Sequence, residues 1–124
     1  MRRGSTTYVD GFVLPVKRRQ LAAYRRMARQ AGKVWRSHGA LEFRECVADD
    51  VPHGKRTSFP RSVKLKRAEI VVFSYIVYRS RADRDRVMAK VMKDKRIEAM
   101  MKSKKVPFDG KRMIFGGFKT MVSA

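Results

Sequence analysis

The densest group of residues that could do chemistry lies between positions 45 and 55. It combines carboxylates, a thiol, an imidazole and an amine: Glu45, Cys46, Asp49, Asp50, His53 and Lys55. Such groups at the end of a strand could position a substrate or move a proton at the lip of a pocket. The same residue types are also typical of a solvated loop that ends a strand. Both interpretations stay open, because Asp49 and Asp50 would diverge on a strand but can converge in a loop.

The histidines and the cysteine give no signature of a metal, haem or zinc site. His38 and His53 are separated by fifteen positions, which matches no common ligand spacing. His38 follows a helical pattern, where an imidazole can interact with the terminal carbonyls. Cys46 is the single cysteine, so no disulfide forms within the chain, and we expect it to be buried as a small apolar residue. The sequence therefore predicts no cofactor.

Positive charge is the strongest compositional feature of the chain. Among 124 residues, 31 are Lys or Arg and 11 are Asp or Glu, which gives a net charge of +20. Because 44% of the residues are hydrophobic, the chain is expected to bury a core, unlike a disordered polycation. Neither a run of apolar residues long enough to span a membrane nor the apolar segment of a secretory signal occurs. We therefore expect a cytoplasmic protein with anionic partners.

The elements that must position these groups follow from the hydrophobic periodicity. Residues 1–6 are expected to be a polar leader, and residues 7–124 a single domain. The pattern predicts strands over 7–14, 40–48, 69–78 and 113–121, a helix over 17–39, a long loop over 49–67, and a helical region over 79–105 that breaks near Asp94. The order β-α-β-β-α-β predicts an α+β fold of the ferredoxin-like type.

The third predicted strand bears on assembly. Residues 69–78 (EIVVFSYIVY) are apolar on both faces, whereas helices on one side of a four-stranded sheet would cover only one of them. A second copy of the chain is the simplest cover for the other face. We therefore expect a homodimer whose two sheets close together.

Several long segments carry a family resemblance. They are YVDGFVLPV (8–16), AGKVWRSHGALEFRECVADDVP (31–52), TSFPRSVKLK (57–66), VVFSYIVYRSRADRD (71–85) and PFDGKRMIFGGF (107–118). Together they resemble the YbaA-like family of uncharacterised bacterial proteins. The resemblance implies a dimeric α/β barrel built from ferredoxin-like protomers, and it implies no established reaction. Other dimeric α/β-barrel families include haem-degrading and quinone-forming monooxygenases, which is an analogy of fold alone.

The helices depart from this family in charge. Positions 17–39 contain eight cations and no acid, and like charges four residues apart repel each other. We expect a non-catalytic, engineered and positively supercharged scaffold that binds polyanions such as nucleic acid or acidic proteins; a natural basic RNA-binding relative is a further possibility. The residues predicted to bind are Arg18, Arg25, Arg26, Arg29, Lys33, Arg36, Arg84, Arg86, Lys90, Lys93 and Arg96.

An enzyme is the main alternative. A monooxygenase-like activity in the barrel interior would draw first on Arg44, Glu45, Asp49 and His53. Sequence-specific reading of RNA on the sheet is not expected, because the third strand lacks the glycine and aromatic pattern of an RNA-recognition motif. Binding to nucleic acid is expected to be electrostatic and to weaken with salt.

Overall fold

The computed structural model describes residues 6–103 and 106–124, so the predicted leader falls outside the described residues except for Thr6. Four strands and four helices follow one another, with a 3₁₀ turn at Arg18–Gln20 before the first helix. The elements are β1 (Tyr8–Lys17), α1 (Leu21–Ser37), β2 (Glu42–Val47), α2 (Phe59–Ser62), β3 (Glu69–Tyr78), α3 (Arg81–Met92), α4 (Lys95–Lys102) and β4 (Ile114–Lys119).

All strand pairs are antiparallel, and the strands form one sheet in the order β2-β3-β1-β4. The two longest strands, β1 and β3, lie at the centre and pair over their full length, from Tyr8 opposite Tyr78 to Lys17 opposite Glu69. The sequence-based prediction of a mixed α and β fold is therefore confirmed at the level of a four-stranded antiparallel sheet with helices.

Strand β1 is longer than the sequence indicated. The predicted end before Pro15 is wrong, because the strand continues through Pro15 to Lys17. The pairing with β4 ends at Val13, and from there β1 is bonded to β3 alone. A strand with one free side accepts a proline, which lacks the N–H that a second partner would require.

Helices α1, α3 and α4 pack on one face of the sheet and close the core there. Tyr78, Val87, Val91 and Ile97 are almost completely buried, and they join β3 to α3 and α4. A neighbouring cluster joins α1 to β1 and β3 through Leu14, Val16, Tyr24, Ala28 and Val72. Burial of these apolar side chains provides most of the driving force for folding.

The predicted break of the helical region near Asp94 is confirmed. Ser80 caps α3, where its hydroxyl accepts a hydrogen bond from the Asp83 backbone N–H at 3.0 Å. Asp94 separates α3 from α4 and caps the latter by accepting from the Arg96 N–H at 2.9 Å. Each cap satisfies a backbone donor that a helix start leaves without a partner.

The opposite face of the sheet is only partly covered. The segment that contains α2 packs Val63 against Val13 and Val71 at one end of this face. The remainder, called the open face below, is lined by Cys46, Phe73, Tyr75, Ile114 and Phe118, which the strand register places on one side of the sheet. Phe118 is 63% exposed, and Cys46 is exposed, so the expectation of a buried Cys46 is wrong for the single chain.

A buried ion pair between Glu69 and Arg112 links the start of β3 to the turn before β4. Glu69 is 5% exposed, and both of its carboxylate oxygens accept hydrogen bonds from Arg112, at 2.8 and 2.6 Å. The Arg112 guanidinium also donates to the Lys64 carbonyl at 2.9 Å and to Asp109 at 2.9 Å. One arginine therefore holds together β3, the loop before it and the turn before β4.

Candidate polyanion-binding face

Helix α1 presents five cations on one side. Because an α-helix has 3.6 residues per turn, these five positions fall within about 100° of arc around its axis. The side chains are exposed, whereas Tyr24 and Ala28 on another side of the same helix are buried in the core. We call this set the cationic face: Arg25, Arg26, Arg29, Lys33 and Arg36.

The cationic face has no acidic counterpart. Within residues 6–103 and 106–124, none of its five cations forms an ion pair with a carboxylate. Arg36 donates hydrogen bonds to the carbonyls of Ala40 and Leu41 beyond the helix, which are neutral groups. The first helical turn contains no acid either. The face therefore retains an uncompensated positive potential.

The cations predicted on α3 and α4 divide into two groups. Lys90 and Lys93 are exposed and, in the described part of the chain, form no ion pair. Arg86 is bonded to Asp83, and Arg96 to Asp94. Arg84 is largely buried and holds Asp10 at 3.2 Å and Asp85 at 2.8 Å. Neutralised in this way, these three arginines contribute less to the potential than the cationic face does.

The Arg84 contacts have a structural purpose. Asp10 lies on β1 and is almost completely buried, so its charge needs a partner. The Arg84 guanidinium provides that partner and also lies over the Tyr8 ring, 5.0 Å from its centroid. This arrangement fastens α3 to the sheet. The binding of polyanions by Arg84 stays a prediction, and the structure shows its ion pairs with Asp10 and Asp85.

Arg96 links the end of α1 to the start of α4. It donates to Asp94 at 2.8 Å and to the Ser37 hydroxyl at 3.1 Å, and His38 contacts the same carboxylate at 2.8 Å. The hydrogen bonds from Arg96 and His38 hold the pKa of Asp94 well below its usual range. His38 therefore has a structural partner at the helix end. Arg96 also lines a groove between α1 and α4 together with Arg26 and Lys33.

Arg18 precedes helix α1. It lies in the 3₁₀ turn before α1, its side chain is exposed, and its backbone N–H donates to the Ala68 carbonyl at 2.9 Å.

A second groove runs along the other border of the cationic face. It lies between α1 and β2 and has a volume of about 700 Å³. Inside it, the Tyr24 hydroxyl donates to Glu45 Oε1 at 2.7 Å. Glu45 is exposed as a residue, but the surrounding groove atoms desolvate its carboxyl and raise its pKa, while the hydrogen bond from Tyr24 lowers it. Burial raises the pKa of Tyr24, so its hydroxyl remains a donor.

The four residues predicted for an enzyme do not form one site. Arg44 and Glu45 are neighbours on β2 and point to opposite faces, with Arg44 held by Glu42 at 3.1 Å. Asp49 and His53 lie in the exposed loop after β2, outside the lining of the groove. Of the four, Arg44 and Glu45 line the groove.

Sequence reasoning missed Tyr24 as a functional candidate. Its hydroxyl reaches a carboxylate in the groove. One signal was present: Glu45 interrupts the apolar side of β2, where Phe43 and Val47 are its neighbours on the same face. An acid at an apolar position indicates a polar partner on the opposing element.

Across residues 6–103 and 106–124, no helix is both long and apolar enough to cross a bilayer. Over the same ranges, no three His, Cys, Asp or Glu side chains converge in a way that could hold a metal ion.

Comparison with known proteins identifies relatives over most of the chain. An uncharacterised protein of Escherichia coli K12, YbaA, is 47% identical over 115 residues, covering 93% of this chain and 97% of that protein, and the YbaA protein of Shigella flexneri matches to the same extent. A de novo designed protein, Foldit4, aligns over 94% of this chain and 99% of its own with a TM-score of 0.42 and 12% identity. The model of a protein family of unknown function, DUF1428, matches residues 7–110. The chain is thus a member of the DUF1428 family.

Proposed function

We propose that this protein is a non-catalytic scaffold that binds polyanions, nucleic acid in particular, through the cationic face of α1. The observation that carries the proposal is the absence of any carboxylate partner for five exposed cations on one side of a helix, within the described residues. Like-charged pairs such as Arg25–Arg29 and Arg29–Lys33 each destabilise a helix by about 0.2–0.5 kcal/mol. A bound polyanion removes that repulsion.

The mode of recognition is sequence-independent. Five guanidinium and ammonium groups spread along α1 contact phosphates, which carry no sequence information. Among the exposed rings of the strands, Phe73 and Phe118 lie on the open face, on the other side of the sheet from α1, and Phe115 lies on β4, at the edge of the sheet opposite β2. Affinity is therefore expected to depend on charge and length of the polyanion.

Introduction of cations at exposed positions explains which acidic residues the chain retains. Within the described residues, seven of the eleven acidic residues are held in ion pairs, and Asp10 and Glu69 among them are buried. Over the same residues, the cations of the cationic face form no ion pair. We therefore attribute the excess charge to engineering of exposed positions on a family fold. Natural relatives that are equally basic at the cationic face would contradict this origin.

Dimerisation is part of the same proposal. The strand order β2-β3-β1-β4 with helices on one face supports a ferredoxin-like protomer. The open face exposes Phe73 and Phe118, and a second copy would cover it to form a dimeric α/β barrel. Two chains of +20 repel each other, so salt is expected to favour the dimer.

The reactivity of the Cys46 thiol can be used to detect this dimer, because Cys46 lies on the open face beside Phe73. We expect uncharged N-ethylmaleimide to modify the thiol at least about tenfold more slowly in high salt, where screening favours association, than in low salt. Phe118→Asp is the control, since it places a charge on the same face; its thiol is expected to react rapidly at both salt concentrations. Equal rates for the two proteins in high salt would contradict a sheet-to-sheet dimer.

The direct test of the proposed function neutralises the cationic face. The variant R25Q/R29Q/K33Q keeps good helix formers on α1 and removes three of the five cations. We expect its affinity for a short single-stranded DNA to fall about 100-fold in low salt, because three phosphate contacts no longer release counterions. Fluorescence anisotropy measures both affinities.

The matched control is K55Q/R56Q/R67Q, which removes the same charge from exposed positions in the loop before β3. We expect this variant to lose less than about threefold in affinity, an effect of net charge alone. Equal losses in the two variants would show that binding has no defined face and would overturn the proposal.

Among the described residues, the groove between α1 and β2 is the one feature that supports the enzymatic alternative. Asp49 and His53 do not reach it, and a monooxygenase-like reaction has no further residue in its support. A cytoplasmic location stays a prediction of the sequence.

A further inference from the structure

The groove between α1 and β2 has the composition of a ligand site. We propose that it binds a small amphipathic anion: a ring body of one or two rings, with an acidic group at one end and a hydrogen-bond donor at the other. This inference does not depend on polyanion binding, because it uses the interior of the groove as well as its border.

The floor of the groove is apolar. Leu21 and Ala28 of α1, Phe43 and Val47 of β2, and Val72 of β3 contribute to it. The volume of about 700 Å³ lies within the range of roughly 300–1,000 Å³ that is usual for small-molecule sites. Removing a ring body from water onto these side chains provides non-directional binding energy.

The position of the Phe43 ring depends on a glycine. A Cβ placed on Gly32 would come within 2.9 Å of this ring, so the absence of a side chain there allows the ring to pack against α1. Phe43 also contacts Trp35, with 5.9 Å between the ring centroids. An aromatic wall is thus held in place from behind, as a planar ligand requires.

Glu45 supplies the polar group inside the groove. Its Oε1 accepts the hydrogen bond from Tyr24, which uses the only hydroxyl hydrogen of that tyrosine. Its Oε2 has no hydrogen bond to any described residue, and a carboxylate oxygen can accept further bonds. The chemistry of this end therefore selects a ligand that carries a hydroxyl or amine donor.

Cations form the border of the groove on the α1 side. Arg25, Arg29, Lys33 and Arg36 all line it, and the helix bears no acid that would compete for them. Arginine binds carboxylate and phosphate through paired N–H groups, which gives charge recognition a defined orientation. An acidic group on the ligand would lie at this border, with the ring body on the floor and the donor at Glu45.

The test uses three naphthalene compounds that differ by one group each. They are 6-hydroxy-2-naphthoate, which has both ends, 2-naphthoate, which lacks the donor, and 2-naphthol, which lacks the acid. Titration calorimetry on the full chain at physiological salt is expected to give the tightest binding for 6-hydroxy-2-naphthoate. Loss of either end group is expected to weaken binding about tenfold, or roughly one hydrogen bond or ion pair in energy.

Variants locate the site. Val47 is 46% exposed, so V47W can fill the groove from its open side without burying a misfit in the core; we expect it to abolish binding of all three compounds. E45Q replaces a free acceptor by a donor. We expect it to reduce the affinity for 6-hydroxy-2-naphthoate to the affinity for 2-naphthoate, and to leave the affinity for 2-naphthoate unchanged. R25Q/R29Q is expected to weaken the binding of both acids but not the binding of 2-naphthol. R18Q/R19Q, with the same loss of charge outside the lining, is expected to match wild type.

Three outcomes would overturn the inference: equal affinity for the three compounds, wild-type binding by V47W, or equal effects of E45Q on both acids. Binding of single-stranded DNA by V47W and E45Q separates this inference from the proposed function. Both variants leave the cationic face intact, and we expect both to bind DNA as wild type does. Failure of the groove test therefore leaves the proposal of polyanion binding standing. Failure of polyanion binding likewise leaves the inference about the groove standing.

Discussion

Raising the salt concentration from 50 to 200 mM is expected to weaken binding of the wild-type protein to single-stranded DNA about 100-fold. The five cations of the cationic face can neutralise about five phosphates, and each phosphate contributes a slope of about −0.7 to the dependence of log affinity on log salt. The expected slope is therefore about −3.5. A fourfold increase in salt then gives the stated loss.

The effect is specific to charges that lack internal partners. Arg84 is already held by Asp10 and Asp85, so it cannot exchange a counterion for a phosphate without losing those bonds. The cationic face has no such competition among the described residues. An affinity that is insensitive to salt would require apolar or base contacts, which α1 does not present on this side.

Arg112→Met is expected to lower the free energy of unfolding by about 3–5 kcal/mol. The substitution retains much of the side-chain volume and leaves Glu69, which is 5% exposed, as a buried charge without its bidentate partner. It also removes the hydrogen bond to the Lys64 carbonyl. Urea denaturation followed by circular dichroism measures the change.

The control for this prediction is Arg44→Met. Arg44 forms an ion pair with Glu42 in which both side chains are about half exposed or more, and exposed pairs of this kind contribute little to stability. A loss of stability in Arg112→Met no larger than in Arg44→Met would contradict the structural role given to the buried pair.

The same pair gives stability a defined dependence on pH. Hydrogen bonds from Arg112 lower the pKa of Glu69 below its usual value, and burial opposes them. A group whose pKa is lower in the folded state contributes stability above its unfolded pKa, and this contribution is lost as pH falls through the folded pKa. The wild type is therefore expected to lose more stability than Arg112→Met when pH is lowered below about 4.3, the usual pKa of glutamate.

The hydrophobic periodicity of the sequence was sufficient to predict most of the helices and strands. Strand β3 has the predicted bounds, and the break at Asp94 lies where local rules placed it. Local sequence determines such features, because a cap or an apolar run is decided by neighbours a few residues away. Pro15 was misjudged because its tolerance depends on where β4 ends, which local sequence does not encode.

Long-range pairing accounts for what sequence reasoning could not reach in the site. Arg84 and Arg25 look alike as residues, yet Arg84 holds Asp10, seventy-four positions earlier in the chain, whereas Arg25 has no carboxylate within the described residues. In the same way, Tyr24 meets Glu45 only because α1 packs on β2. Which cations are free and which acids are shielded is a property of the tertiary structure.

The slope of log affinity against log salt for single-stranded DNA, measured for wild type and for R25Q/R29Q/K33Q, tests the central claim most directly. We expect about −3.5 for the wild type and a slope shallower by about 2 for the variant, since three phosphate contacts are removed. The control K55Q/R56Q/R67Q is expected to retain the wild-type slope. Identical slopes in all three proteins, or a wild-type slope near zero, would contradict the assignment of polyanion binding to the cationic face.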